Sequence, residues 1–530
     1  MVKKSLGFVL ILIVLGACAS KMKDQLKNFR EAFILGDYEK AQESLEKSGL
    51  AKDSKAQLLW HLEGGTLDLA KNNLDSAVLH FQTSLDLIDK LFTTKLTSKA
   101  QSLLINDASD EFYGASYERS YAHYFLARSL YARYLKTGNK LDLQGARGTI
   151  LSWDSYFTEL QRSSTLQTLY HTDLMLKVFG GEIHEMSGIN NDNQIALQLY
   201  KDALGILDRE GGLFSLFNKK SAEFIKSVKD GKVDLKLYDK TQSYEDLKSF
   251  LQSKVANLSK GKSGNVVILV EEGLIPQKVG KPFNFGLKGA AGSVDDSGAK
   301  KFIMSVGLET LTLFAMNKLN MVPTQSSSRG SFLFAHNVTK LAVQEAAVEF
   351  ELPMIENVPL VQRLELFILD DKGVVKIKLP LPVISDNGDI ARVVLEEDVV
   401  SRYVKTGTRV ATKHIMAIIA AYTIYKRLSG RDEGADFIAK SAALATYIAS
   451  TKGIAALEKA DTRAWVTLPQ ALRLAEITLA PGNYKAAVAY VAASTPDNIK
   501  PKAPMKVIGD VLVKNSGKSL HTFRFISPSP

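Results

Sequence analysis

The stretch Gln194-Ile195-Ala196-Leu197-Gln198-Leu199-Tyr200-Lys201-Asp202-Ala203-Leu204-Gly205-Ile206-Leu207 decides how the first half of the chain reads. Ala196, Leu199, Tyr200, Ala203, Leu204 and Leu207 recur at steps of three and four, which puts them on one face of an α-helix. The small Ala196 lets a partner helix approach closely, and Tyr200 one turn later fills the space beyond it. Related phrases come earlier: Gly36-Asp37-Tyr38-Glu39-Lys40-Ala41 with Leu45, and Asn73-Leu74-Asp75-Ser76-Ala77 with Phe81, Ser84 and Leu85. A weaker copy runs from Gly138-Asn139 through Ala146, Ile150 and Trp153. Ala41 and Ala77 stand 36 residues apart, and Ala146 lies 69 beyond Ala77, about two such steps.

This spacing resembles the tetratricopeptide repeat (TPR), a helix–turn–helix unit of about 34 residues. Each unit leaves an apolar face that only the next unit covers, so the pattern predicts an all-α, TPR-like solenoid over residues 18–258. A helical array without true repeats is the alternative. Within it, Tyr113, Tyr117, Tyr121 and Tyr124 open an aromatic stripe that runs on to Tyr131 and Tyr134. Such a stripe is either the solenoid core or a groove that takes a partner, and these four tyrosines are the candidate partner-binding residues. Arg119, Arg128 and Arg133 fall between them and are expected to point elsewhere.

The texture changes at Asn265. Val266-Val267-Ile268-Leu269-Val270 reads as a buried strand. Further strands are predicted at Leu341–Glu351, Leu364–Leu369, Val374–Leu379, Ala471–Leu479, Tyr484–Val491, Lys506–Val513 and Leu520–Ile526. Asp370-Asp371-Lys372-Gly373, Pro481-Gly482-Asn483 and Asn515-Ser516-Gly517-Lys518 read as turns, the last two as hairpins. Between the strand groups lie two helical patterns, Val399–Leu428 and Gly434–Leu457. Lys413, His414, Lys440 and Lys452 interrupt their apolar runs below the roughly 20 residues a membrane span needs. The expected fold is therefore α+β and multidomain. A β-rich, sandwich-like domain (262–398 and 461–530) follows the solenoid, with a helical hairpin (399–458) inserted.

Cys18 is the only cysteine in the 530 residues. Lys3 and Lys4 precede an apolar segment from Leu6 to Leu15, and small residues lead into the cysteine in Leu15-Gly16-Ala17-Cys18. This resembles a bacterial lipoprotein signal (residues 1–17), with lipidation of Cys18 expected. With its one thiol acylated, the chain would carry no disulfide and no cysteine-bound zinc.

The net charge is +10, and 33 basic against 25 acidic residues lie from Lys262 onward. No basic run interleaved with aromatics suggests nucleic acid. Arg402, Arg409 and Lys413 share one helix face and form a candidate anion-binding set. Ser259-x-x-Lys262, Ser385-Asp386-Asn387 and Lys405-Thr406-Gly407 match penicillin-binding triplets in order but not in context, because Ser259 leads into a strand rather than opening an apolar helix. Gly261-Lys262-Ser263 lacks the first glycine of a P-loop, and His184-Glu185 lacks a second histidine. His61, His80 and His171 read as isolated. No catalytic group, cofactor or metal is expected.

Several phrases together resemble a poorly characterised family of bacterial TPR-containing envelope lipoproteins. They are Tyr117-Glu118-Arg119 with His123-Tyr124, the Val266–Pro276 segment, Thr408-Arg409 with Lys413, Asp461-Thr462-Arg463-Ala464-Trp465 with Leu468-Pro469, and Pro481-Gly482-Asn483-Tyr484. Asp461, Arg463 and Trp465 are expected to act structurally, as a turn clamp with the indole beneath. The resemblance implies a lipid-anchored protein of the outer membrane facing the periplasm, working as a scaffold for unidentified envelope proteins. A cell-wall or envelope-glycan enzyme, and a module for anionic lipid or polysaccharide, are the alternative readings.

Overall fold

The computed structural model describes residues 22–97, 111–162, 173–189, 191–210, 238–285, 348–355, 362–392, 394–395, 458–491, 504–515 and 517–526, with scattered positions between 406 and 454. Cys18, His171, Arg402, Arg409 and Lys413 lie outside the described residues. The chain is α+β, with helices first and strands after.

The helices are α1 (22–34), α2 (Tyr38–Lys47), α3 (Gln57–Ala70), α4 (Leu74–Thr97), α5 (Ser116–Thr137), α6 (Lys140–Arg162), α7 (Leu174–Ser187), α8 (Asp192–Glu210) and α9 (Tyr238–Leu258). Successive helices pack as neighbours, most closely α3 with α4, α5 with α6 and α7 with α8. The small-residue positions read from the sequence are the contact points: Ala41, Ala77, Ala146 and Ala196, one each on α2, α4, α6 and α8, are fully buried. Their partners include two glycine pairs. A Cβ on Gly65 of α3 would stand 2.7 Å from the Phe81 ring of α4, and one on Gly181 of α7 would stand 2.5 Å from Tyr200 of α8. Only glycine permits that approach, so Gly64-Gly65 and Gly180-Gly181 set the spacing of two helix pairs. Gly138 ends α5 in the left-handed conformation that a helix stop favours.

The strands are β1 (Val266–Glu272), β2 (Lys278–Phe285), β3 (Val348–Ile355), β4 (Leu364–Leu369), β5 (Val375–Pro380), β6 (Val383–Asp386), β7 (Ala471–Ile477), β8 (Gly482–Tyr490), β9 (Lys506–Val513) and β10 (Ser519–Phe525). One sheet has the order β10-β1-β7-β6, another β5-β4-β8-β9, and β2 pairs with β3 alone. In the first sheet β1 is parallel to β10 and antiparallel to β7. All seven residues of β1 are buried. Val266, Ile268 and Val270 join Leu364, Leu366, Ile368, Ala486 and Val488 in a core between the two four-stranded sheets. Val267 and Leu269 join the helical core on the other face. A strand covered on both faces reads as an unbroken apolar run, which is how β1 stands out in the sequence.

The Asp370–Gly373 turn joins the antiparallel pair β4–β5, as expected. The other two turns are not hairpins. Pro481–Asn483 carries the chain from β7 in one sheet to β8 in the other, and the segment around Gly517 carries it back from β9 to β10. Turn residues fix that the chain reverses; the burial of each strand face fixes which sheet it enters. Of the strand expected at Leu341–Glu351, Val348–Glu351 lie in β3, which runs on to Ile355, and 341–347 lie outside the described residues. β2 and β6 were not expected: β2 carries Gly280 and Pro282, and β6 has four residues. The positions described between 406 and 454 are helical, in keeping with the expected hairpin. Among the described residues, no helix is long and apolar enough to cross a membrane.

Candidate functional site: the seam between helices and sheet

The residues with the most unusual environments lie where the first helices of successive pairs meet the β10-β1-β7-β6 sheet. At one end the sequence Arg463–Leu468 crosses α1, α3 and α5. Trp465 is fully buried there. Its ring packs 5.2 Å from Phe125 and 6.1 Å from Phe81, and those two rings stack on each other at 5.3 Å. Its indole N–H donates to Thr66 Oγ1 at 3.0 Å and to Thr467 Oγ1 at 3.2 Å.

The main chain of this strap is held by buried carboxylates. Glu118, in the first turn of α5, accepts from the Ala115 amide through Oε2 at 2.5 Å, which satisfies a free donor at its own helix start. Its Oε1 accepts from the Trp465 amide at 2.7 Å. Glu63 of α3 accepts from the Val466 amide through Oε1 and from the Thr467 hydroxyl through Oε2, each at 2.5 Å. Arg30 of α1 donates to the Val466 carbonyl at 2.5 Å. Burial pushes the Glu63 carboxyl up to about 8, against the pull of Thr467, the Val466 amide and Arg30. Glu118 is raised in the same direction, also by burial.

The middle of the seam is ionic. Glu271 of β1 accepts from the Tyr124 hydroxyl at 2.9 Å and pairs with Arg128 at 3.3 Å and Arg524 at 3.1 Å. Arg524 also donates to the Thr467 carbonyl and lies over the Phe33 ring. Glu272, the next residue, faces the opposite side of β1. It takes Arg473 at 2.6 Å and the Tyr490 hydroxyl at 2.8 Å.

At the far end, Glu182 and Glu185 of α7 meet Glu476 of β7, and one oxygen from each lies within 4.8 Å of the others. Lys254 of α9 and Lys518 each pair with all three carboxylates. Two ammonium groups thus sit where a cation held by these glutamates would sit. The exposed Ser263 hydroxyl donates to Glu185 at 2.6 Å and lies 3.3 Å from Lys518. Burial works against the Glu185 anion, but Lys518 and Lys254 together hold its carboxyl at about 2. Burial likewise opposes the Lys518 ammonium, and the three glutamates raise it well above the ordinary lysine value. Glu182, fully buried beside them, is raised above the ordinary carboxylate range by burial, so the two lysines bolt helix to sheet across carboxyls shifted in opposite directions.

The four tyrosines of the stripe line this seam rather than an open groove. Tyr117, Tyr121 and Tyr124 are buried, and Tyr113 stacks under the Arg119 guanidinium at 4.1 Å. Tyr117, Tyr121 and Tyr124 lie on α5, whose Tyr124 hydroxyl reaches Glu271 of β1, and Tyr113 precedes that helix. Arg119 is anchored to the Tyr156 hydroxyl and the Gly114 carbonyl, and Arg133 to Asp142 and Asp75. Asp461 and Arg463 form the expected clamp, with side-chain bonds of 2.9 Å. Ser385-Asp386-Asn387 starts a helix: Asp386 accepts from the Asp389 amide at 3.1 Å, and Asn387 donates to the Pro469 carbonyl at 2.8 Å. His61 and His80, read as isolated, are brought together, with their Nδ1 atoms 3.0 Å apart.

Glu63, Thr66, Lys254, Glu476 and Lys518 escaped the sequence reading. A signal for the first two was present, since Glu63 and Thr66 flank the Gly64-Gly65 pair. Nothing local marks Lys254 or Lys518, whose partners are remote in the chain. No family model, curated protein or solved structure matches the chain.

Proposed function

We propose that this chain is a lipid-anchored lipoprotein of the bacterial cell envelope, in which a TPR-like helical solenoid and a β-sandwich form one rigid scaffold for other envelope proteins. The tether rests on Lys3, Lys4, the apolar 6–15 segment and Cys18. The repeat reading is supported by the buried alanines on alternate helices and by the glycine pairs that seat Phe81 and Tyr200. The sandwich reading is supported by the shared core of the two four-stranded sheets.

One observation supports the rigid-scaffold reading. Glu118 and Glu63 grip consecutive main-chain amides of an extended segment while a slot between Thr66, Phe81 and Phe125 takes its indole. Side chains that reach a backbone hold a peptide with little regard to its sequence, and the indole slot supplies the selection. Here that chemistry is engaged by the chain itself. A partner is therefore received on the surface this closed assembly presents.

Two measurements test the reading on the full chain. Replacing Cys18 by Ser is expected to move the protein from the membrane to the soluble fraction of disrupted cells; retention in the membrane fraction contradicts the tether. Cross-linking the anchored protein in intact cells is expected to trap a defined set of envelope proteins. Turnover of purified peptidoglycan by the protein would instead favour the enzyme reading.

A further inference from the structure

His61 lies on α3 and His80 on α4, and their Nδ1 atoms face each other at 3.0 Å. The other ring nitrogen of His80, Nε2, faces Asp68 Oδ2 at 3.6 Å. Asp68 is itself held by Asn73, whose amide nitrogen lies 3.4 Å from Oδ1. At 3.6 Å the Asp68 carboxylate acts on His80 Nε2 by charge rather than through a hydrogen bond, which favours the proton on that nitrogen and leaves the Nδ1 lone pair free. The two rings belong to adjacent helices whose spacing is fixed nearby: a Cβ on Gly64 would stand 2.8 Å from the His80 ring, so glycine is what lets this imidazole lie flat against α3. The side chains of His80 and Asp68 retain 21% and 22% of their exposure, so solvent reaches the pair.

We propose that His61 and His80 form a two-imidazole site for a divalent transition-metal cation, with Asp68 as the positioning residue behind His80 and water completing the coordination. The distance between the nitrogens selects the metal. At metal–nitrogen bonds of about 2.0–2.1 Å, a 3.0 Å separation subtends an angle of about 94°. That is the angle between neighbouring positions of a tetragonal centre, whereas a tetrahedral ion prefers a wider bite. Cu2+ and Ni2+ therefore fit better than Zn2+, and Cu2+ binds most tightly because imidazole affinity peaks there. On binding, the proton that His61 shares with His80 is exchanged through water to the outer nitrogen of His61. Both rings stay neutral, two nitrogen–metal bonds form, and two waters leave the ion.

The test uses the full chain stripped of metal, titrated with CuCl2, NiCl2 and ZnCl2. One equivalent of Cu2+ is expected to bind, with electron paramagnetic resonance showing coupling to two imidazole nitrogens. The Trp60 ring, 6.4 Å from His80, is expected to lose fluorescence on saturation. His61→Asn or His80→Gln is expected to lower Cu2+ affinity at least 100-fold, and Asp68→Asn 10-fold or more. The order Cu2+, Ni2+, Zn2+ is expected for affinity. A spectrum of the unaltered protein with one nitrogen or none, or Cu2+ affinity unchanged in both histidine variants, overturns the site and leaves the pair as a hydrogen bond alone. Because the unaltered protein gives the nitrogen count, the outcome does not depend on how the variants fold.

Discussion

The two ends of the seam do the same mechanical task with opposite chemistry. At the Trp465 end, carboxylates of the helices accept from main-chain amides and the contact is sealed by aromatic rings. At the Glu476 end, three carboxylates each pair with two lysines that come from different parts of the chain. The first end draws on burial of a large apolar ring, which is favourable at any ionic state. The second must keep charges out of water and so depends on every partner being present. Helices and sheet are thus joined by one contact sealed by a buried apolar ring and one held by opposite charges.

Four substitutions separate the two ends. Trp465→Ala is expected to cost about 3–5 kcal/mol of unfolding free energy, read by urea titration, because it empties a slot bounded by Phe81 and Phe125. Lys254→Met is expected to cost about 3 kcal/mol by the same titration, since it leaves three buried carboxylates with one ammonium. Adding Glu476→Gln to that variant should restore about 1–2 kcal/mol, whereas adding it to Trp465→Ala should not, and equal restoration in both backgrounds would erase the distinction. Asp461→Asn, at the entrance to the strap, is expected to cost only about 1 kcal/mol, because its partner Arg463 is two residues away and the pair fixes a local turn.

Glu63 and Glu185, one at each end, should respond to pH in opposite senses. Glu63 has its folded value raised to about 8 from an ordinary 4.5, so the folded state binds the extra proton between those values. Its contribution to stability is fully present below about 4.5 and is lost as pH rises toward 8. Glu185 is held at about 2, so its contribution is present above about 4.5 and is lost as pH falls toward 2. Hydrogen exchange followed against pH is expected to quicken at the Val466 amide on the alkaline side and at the Glu185 amide of α7 on the acid side. Parallel trends at the two amides would contradict the assignment.

The sequence was informative where the signal is local or periodic. The alanine anchors of α2, α4, α6 and α8, the apolar run of β1 and the Asp370–Gly373 hairpin all rest on neighbours in the chain. The parallel pairing of β1 with β10 does not, because it joins Val266 to Ser519 and no short pattern encodes so distant a register. The same limit applies to the seam. Phrases that carried the family resemblance, Tyr117-Glu118-Arg119 with Tyr124, Glu271-Glu272 and Asp461–Trp465, meet there side by side, yet each alone reads as a helix, a strand end and a turn. The tyrosine stripe was legible as one face of a helix. Whether that face met solvent or the chain's own sheet depended on residues more than a hundred positions away.

The Trp465 strap is held against α3 and α5 by the carboxylates of Glu63 and Glu118. Exchange of the Trp465 and Val466 amides in the full chain tests this contact most directly. The account predicts protection matching that of the β1 amides, because both are closed by buried carboxylates of α3 and α5. Exchange at the rate of an open loop, with β1 still protected, would show the strap to be unheld by α3 and α5 and would contradict that arrangement.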